Sequence, residues 1–450
     1  MTLTLQRTHT LYEATVEALS SWTPMLQDSY SAVCWLSIRG VRSEMNPLIE
    51  FVKVLPSDPK TAPACAHGPA LLFDRVGKKF FACSACRDRK ICPLYVPYEQ
   101  KKPAKTWDDI RDEILPEEAH IEPPATPDDF YRFCESCCRI LIDPQCRHRR
   151  EPISVDLMAS PTTFLSQLSN NKCTAQYHFS EETLHLLIDL ASRFRKVLCI
   201  GTPSVFEHLQ HVSHVSSHLA DIDRRFEAFF GERVFTWFNA FNALAFRKGD
   251  NSELWRFVGS ETDESSDAEG LDEFLILVDP PFGGLLGPLS CTLQRIKSKA
   301  GCGRTILVFP YFNEAQVKLH FPELKMCDYS VRYRNHRKMK NSSPVRLFTD
   351  IPLSSIRLPE DEYKYCPACE RWVHKINRHC EKCNACCSRN HEEYKHCDLC
   401  SRCIKSKWTH CIKCKRCHLE QQCGARRGVE RSTKRPSGST ERRTRNKRGR

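Results

Sequence analysis

Between residues 173 and 357 the apolar positions follow two periods in turn. In "EETLHLLIDLASRF" they recur at three- and four-residue intervals, the spacing of one helix face. "KVLCIG", directly after it, is a short apolar run ending in glycine and predicts a buried strand. "SSHLADID", "RVFTWFNAFN", "EFLILVDPPF", "TILVFPYF", "DYSVRYR" and "PVRLFTDIP" follow as strand-like segments with helical stretches between them. Strands alternating with helices predict an α/β fold, a mostly parallel sheet covered on both faces. The acidic stretch "GSETDESSDAEGLDE" breaks the pattern and is expected to be an exposed loop without fixed structure.

On either side the periodicity fades. Residues 1–64 are mixed and carry no motif, and 65–150 set Cys/His pairs between proline-rich linkers such as "ILPEEAHIEPPATPDD". Residues 366–423 are dense in Cys and His, and 424–450 are a basic, polar run without apolar period, expected to be disordered. A chain of 450 residues is too long for one simple domain, and its 41% hydrophobic content is enough for a real core. The net charge of +12 gathers in that tail, which suits nucleic acid or nuclear import, or simply solvation.

The 27 cysteines narrow the picture further. No apolar leader opens the chain, and no apolar run reaches the ~18–20 residues that span a bilayer. An intracellular protein rarely keeps disulfides, so clustered Cys and His are expected to bind zinc. Isolated cysteines such as Cys34, Cys173 and Cys327 read as small buried hydrophobes.

In an open α/β sheet, ligands bind beyond the carboxyl ends of the strands, where the strand order reverses. Gly201 in "LCIGTP" lets the backbone approach a ligand. Asp221 and Asp223 in "LADID" stand about twenty residues on, where an acid accepts hydrogen bonds from ribose hydroxyls. Asn239 in "WFNAFN" offers an amide to an adenine edge. G-x-G-x-x-G and the P-loop are both missing, which argues against a dinucleotide or ATP. S-adenosylmethionine fits better, having ribose and adenine but no phosphate.

The apolar run "LILVDPPFGG" ends abruptly, since neither Pro280 nor Pro281 can continue a strand. Its "DPPF", Asp279 to Phe282, resembles the [DNS]-P-P-[YF] motif of methyltransferases acting on amino or amide nitrogens. An adenine N6 amine is a poor nucleophile because its lone pair is delocalised into the ring. A carboxylate oxygen of Asp279 and the Pro280 carbonyl can accept its two hydrogens and turn the nitrogen toward a methyl donor. Phe282 can stack on the unpaired base, and Pro281 keeps the acceptors rigid. The bland alternative is a sharp turn and nothing more. Among the amines such enzymes use, the leading acid favours adenine N6.

At the other end "HCEKCNAC", "HCDLCSRC" and "HCIKCKRC" repeat H-C-x2-C-x2-C from His379, His396 and His410. The candidate zinc ligands are Cys366, Cys369, His379, Cys380, Cys383, Cys386, His396, Cys397, Cys400, Cys403, His410, Cys411, Cys414, Cys417 and Cys423. Which of them share an ion is open, because adjacent knuckles can interlace. The pattern also resembles the cysteine-rich domain of palmitoyltransferases, but "WTHC" stands in place of D-H-H-C and no membrane span accompanies it. "CAHGPALLFDRVGKKFFACSACRDRKIC" resembles a GRF-type finger, which implies Cys65, His67, Cys83 and Cys92 as ligands, with Cys86 able to replace Cys83. "FCESCCRILIDPQCRHRR" offers Cys134 and Cys137 with Cys146 and His148 as partners, and Cys138 competes.

Together these parts resemble the zinc-finger CCHC-domain ribosomal RNA adenine-N6 methyltransferases, from about Cys65 to Cys423. The resemblance rests on "LCIGTP", "DID", "LVDPPFGGL", "FPYF", "SPVRLFT" and the knuckle repeat. It implies a Rossmann-like class I methyltransferase core using S-adenosyl-L-methionine, with several structural Zn²⁺ ions. "AQYHF" resembles the Q-Y-x-[FT] element that lines the cofactor pocket in such enzymes, which adds Gln176, Tyr177 and Phe179 to the site.

The expected parts are an N-terminal region (1–64), a GRF-type finger (65–100) and a second, C2H2-like finger (128–150). A methyltransferase domain (160–357), a CCHC-type zinc domain (362–423) and the basic tail (424–450) follow. The implied substrate is an adenosine of large-subunit (28S) ribosomal RNA, in the nucleus and nucleolus and also the cytoplasm, with ribosome-assembly proteins as partners and no membrane. The competing expectations are an RNA-binding scaffold with an inactive methyltransferase fold, and the same amine chemistry on DNA or a protein glutamine.

Overall fold

The structure is a computed structural model that describes residues 52–86, 88–99, 105–115, 131–141, 148, 151–165, 177–260, 272–334, 343–420 and 423. Gln176, Cys34, Cys146, Cys173, most of the acidic stretch and the basic tail lie outside the described residues. The chain divides into two units, Met1–Ile356 and Arg357–Arg450.

The first unit is built on an eight-stranded sheet. Its strands are β1 (Phe194–Ile200), β2 (Ser216–Asp221), β3 (Phe235–Asn239), β4 (Leu244–Ala245), β5 (Asp272–Val278), β6 (Arg304–Pro310), β7 (Lys325–Cys327) and β8 (Val345–Thr349). The order across the sheet is β4-β3-β2-β1-β5-β6-β8-β7. β1, β2, β3, β5 and β6 run parallel, while β4, β7 and β8 pair antiparallel with their neighbours. The chain therefore runs outward from β1 to β3 and returns to β5 on the other side of β1. That reversal opens a crevice at the carboxyl ends of β1 and β5, the expected place for a ligand.

Period-two alternation along these strands divides two cores. Leu198, Ile200, Ile276, Val278, Leu307 and Phe309 face one core with Trp255, Leu289, Leu293 and Val317. Those four come from the helices Glu253–Gly259, Leu286–Ala300 and Glu314–His320. The intervening Val197, Cys199, Leu275, Leu277, Ile306 and Val308 are equally buried. Helices Glu181–Ala191 and Pro203–Leu209 pack on β1. The first of them starts where Ser180 Oγ accepts the Thr183 amide, and it buries Leu184, Leu187 and Leu190 at helical spacing. The expected parallel sheet covered on both faces is thus present. "DYSVRYR" is a correction: it forms no regular strand, and joins its surroundings through a Phe179–Tyr333 bridge and a bond from the Val331 amide to the Val345 carbonyl. Main-chain bonds also tie Arg332 to Ser180 and Arg334 to His178, and Ser330 Oγ donates to the Ser343 carbonyl.

Two small sheets and the short Ala64–Cys65/Gly68–Pro69 pair precede this core. The first is antiparallel, in the order Val52–Leu55, Leu71–Arg75, Lys78–Ala82, Tyr95–Pro97. The finger expected from residue 65 therefore recruits a strand from the region before it. The second places Tyr131–Cys134 between Arg139–Leu141 and Glu151–Ile153.

The second unit consists of short antiparallel hairpins, such as Tyr363–Cys366 with Arg371–His374 and Tyr394–Cys397 with Arg402–Lys405. Its apolar cluster is tiny, with Cys366, Val373 and Cys386 buried and Cys369 packed against them.

Candidate active site and metal centres

Gly201 follows β1 directly and takes a left-handed backbone (φ +67°) that L side chains rarely adopt. A Cβ there would stand 2.9 Å from the Asp279 carbonyl oxygen. The Asp279 amide in turn donates to the Ile200 carbonyl (3.1 Å), so the ends of β1 and β5 are locked together at the crevice. Asp221 ends β2 on the same edge. Burial, reinforced by the charge of Asp223, pushes its carboxyl up to about 7, and its Oδ1 accepts the Asp223 amide. Gly201 and Asp221 thus leave a cradle and an acid at the crevice, a donor set that fits the ribose of a nucleoside cofactor. Gly201→Ala is expected to cost about 1–3 kcal/mol of stability and to weaken cofactor binding about tenfold or more; thermal melts and titration calorimetry check both.

Two residues assigned to the cofactor from sequence do other work. Asp223 caps a 3-10 turn and clamps the Arg225 guanidinium through both carboxylate oxygens (2.8–3.1 Å). Arg225 also reaches Glu135 of the second finger (3.3 Å). A carboxylate engaged so closely is not offered to ribose. Asn239 is only 1% exposed, and its Nδ2 donates to the His67 carbonyl (2.7 Å) and Ser84 Oγ (2.9 Å) of the first finger. Its amide holds the finger.

The turn after β5 carries the remaining chemistry. Burial holds the Asp279 carboxyl well above the usual carboxylate range, partly offset by the Tyr333 hydroxyl, which donates to its Oδ2 (3.4 Å). Tyr333 is raised in turn by burial and by the charge of Asp279, so the shared proton sits on the phenol. Sequence reasoning missed Tyr333 because no local motif marks it. Its segment is fixed from both sides: the Ser180 amide donates to the Arg332 carbonyl (2.9 Å), and the Arg334 amide to His178 (2.8 Å). Fully buried Arg346 braces the same segment through the Ser343 and Val345 carbonyls and Ser330 Oγ. Aromatic rings line the approach. Tyr177 lies parallel to Phe282 (5.9 Å, 10°), Phe179 stacks on Tyr333 (5.4 Å), and Phe282 meets Phe309 edge-on (6.1 Å). Pro280 is buried behind the turn, and Pro281 accepts the Gly284 amide through its carbonyl (2.7 Å).

The metal centres resolve the pairing that the repeat left open. Cys65, His67, Cys83 and Cys92 converge as one group. In the second unit the groups are Cys366/Cys369/His379/Cys386, Cys380/Cys383/His396/Cys403, Cys397/Cys400/His410/Cys417 and Cys411/Cys414/His418/Cys423. Each repeat is therefore split: its His and last Cys serve one ion, and the C-x2-C between them serves the next. His418 was missed because it falls outside the H-C-x2-C-x2-C register; the visible signal is C-x2-C-x3-H-x4-C from Cys411.

Distances fit Zn²⁺. A tetrahedral ion with ~2.3 Å Zn–S bonds sets sulfur–sulfur edges of about 3.8 Å. Cys383–Cys403 is 3.7 Å, Cys411–Cys423 is 3.6 Å, and Cys369–His379 Nδ1 is 3.2 Å. The His418 Nδ1–H donates to the Leu419 carbonyl (2.6 Å), which leaves its buried Nε2, without a hydrogen-bond partner, for a metal. The residue after each C-x2-C turns left-handed: Glu370, Asn384, Ser401 and Lys415, at φ from 47° to 52°. Cys138 does the same after Cys134-x2-Cys137 (φ 53°), and Cys137 Sγ lies 3.4 Å from His148 Nδ1. Cys138 thus closes the knuckle of the second finger, with its thiol on the Glu135 carbonyl.

Fold and site together define a class I methyltransferase with an amine-orienting turn and attached zinc fingers. Residues 170–351 match the family described as "Probable N6-adenine methyltransferase". The chain is 35% identical over 394 residues to the rRNA N(6)-adenosine-methyltransferase ZCCHC4 of Homo sapiens, across 75% of this chain and 74% of that protein. The Xenopus laevis protein of that name is 35% identical over 367 residues (71% and 73%), and that of Mus musculus 33% over 379 (72% and 71%). The chain belongs to the rRNA N(6)-adenosine-methyltransferase family.

Proposed function

We propose that this protein methylates N6 of an adenosine in large-subunit (28S) ribosomal RNA, with S-adenosylmethionine as donor. The observation that carries the reading is Asp279–Phe282 at the switch point: a buried carboxyl, a proline carbonyl and an aromatic ring in one rigid turn, with the Asp279 main chain against Gly201. S-adenosylmethionine, when bound, supplies an electrophilic methyl group. Gly201 and Asp221 would hold it, and the exposed edge of Tyr177 closes the aromatic side of the pocket.

The target adenine stacks on Phe282 while its amine donates to Asp279 and the Pro280 carbonyl. As the N–C bond forms, N6 becomes cationic and must lose a proton. A carboxylate whose affinity for protons is raised by burial is well suited to take it. The Tyr333 hydroxyl steadies the carboxylate beforehand. The two fingers, fixed to the core through Asn239 and Arg225, supply a rigid frame for structured RNA, and the positive net charge favours a phosphate backbone. On this reading the protein works in the nucleus and nucleolus, and also the cytoplasm, alongside ribosome-assembly proteins.

The test is incubation with labelled cofactor and ribosomal RNA, followed by digestion to nucleosides. Label is expected in N6-methyladenosine from the large-subunit RNA. Label in cytidine, DNA or protein glutamine would overturn the substrate, and failure to bind the cofactor would leave a scaffold.

A further inference from the structure

We propose that the first finger acts on the chemical step and not only on RNA docking. Asn239 and Asn242 are positioning residues that carry the geometry of its metal site into the Asp279–Gly284 turn. The proposal rests on reading Asp279 as the amine-orienting group.

The connection starts at the metal ligands. His67 lies in the first Cys/His group, and its main-chain carbonyl accepts from both Asn239 Nδ2 (2.7 Å) and Asn242 Nδ2 (3.2 Å). Ser84, next to the ligand Cys83, takes both amides on its hydroxyl oxygen (2.9 and 3.0 Å), and Asn242 also reaches the Pro69 carbonyl (3.1 Å). Two asparagines, one ending β3 and one three residues on, thus grip the finger through the His67 and Pro69 carbonyls and the Ser84 hydroxyl.

From there the path runs to the catalytic turn. Asn239 Oδ1 accepts the Phe241 amide (3.0 Å), fixing where that ring begins. Phe241 is buried in the core that Phe282 and the finger's Ala85 pack against. A Cβ on Gly284 would fall 2.7 Å from Phe241 Cε1 and 2.9 Å from the Pro281 carbonyl oxygen, so ring and turn are in direct contact with no slack between them. Close-packed interiors transmit displacement of this kind. A shift of the finger moves Phe241, and Phe241 moves the turn that aims the Asp279 carboxylate and the Pro280 carbonyl.

A finger that only docks RNA predicts a raised KM at unchanged kcat. A finger that sets the turn predicts the reverse. In the full-length protein, Asn239→Ala and Asn242→Ala are expected to lower kcat about 10- to 100-fold while KM for RNA changes less than about threefold. Zinc content, by elemental analysis, should stay at the wild-type value. Hydrogen–deuterium exchange of the uncomplexed protein should accelerate at Phe282–Gly284 and stay unchanged in β5. Phe241→Leu, which leaves both asparagines and their bonds to the finger in place, should reproduce both effects, and it decides the matter if an asparagine variant sheds its ion or fails to fold. Wild-type kcat and exchange in Phe241→Leu, or a raised KM at constant kcat in the asparagine variants, would overturn the proposal. Exchange needs no turnover, so the coupling is judged even if the methylated substrate proves to be something else.

Discussion

Asp279→Ala should lower kcat by about 10²- to 10⁴-fold, the range for loss of a positioned proton acceptor, with cofactor and RNA affinities nearly unchanged. The carboxylate is needed only once the amine must turn toward the methyl donor and release a proton. Its raised proton affinity gives a second, sharper readout. Wild-type kcat should rise with pH as Asp279 ionises, because only the carboxylate can take the proton that the amine releases. The Tyr333 hydroxyl lowers that titration, so Tyr333→Phe should move the acid limb to higher pH. Asp279→Asn retains one carbonyl acceptor and has nothing to titrate, so its limb should vanish whatever activity survives. A limb that persists in the asparagine variant would assign it to another group. Stability carries the opposite sign. Below the ordinary carboxylate range the site is neutral in both states. Above it the unfolded chain ionises while the folded chain keeps its proton, so stability falls until the raised folded value is passed. Asp279→Asn should therefore melt higher than wild type at pH 8, with the gap closing as pH falls below the ordinary carboxylate range.

What the sequence revealed followed from local periodicity and short spacing. Alternating apolar runs marked β1, β2, β3, β5, β6 and β8, and the abrupt Pro280–Pro281 stop marked where β5 delivers its chemistry. The residues that were misread or missed are those whose role depends on a distant partner. Asp223 looks like a ribose acid from its offset after β1, yet Arg225 two residues on competes for it and wins by bidentate geometry. Asn239 sits where an adenine contact belongs, but a finger some 170 residues earlier in the chain takes its amide. Tyr333 reaches Asp279 only because its segment lies across Phe179, a pairing that no spacing announces. Interlacing is a third kind of invisibility. A repeat read as a unit suggests one ion per repeat, whereas the hairpins carry adjacent His and Cys to opposite sides.

That interlacing makes metal removal the second large effect. Two-stranded hairpins are marginal in isolation, and the second unit buries too few apolar residues to hold several of them together. A structural zinc contributes on the order of 10–16 kcal/mol of binding free energy that doubles as folding free energy. A strong chelator should therefore unfold residues 357–423, seen as protease sensitivity throughout the hairpins and reversed by added zinc. Single-ligand variants then separate a linked array from independent knuckles. His396 ligates with Cys380 and Cys383, while its neighbour Cys397 belongs to the next group. His396→Ala frees a hairpin that both adjoining sites need for their geometry. Elemental analysis should show more than one ion lost. Cys423→Ser affects the last group, which adjoins one other group, through His410–Cys411 and Cys417–His418, and should cost fewer. Equal loss of one ion from both variants would mean that each knuckle folds around its own metal, with the shared hairpins contributing no coupling.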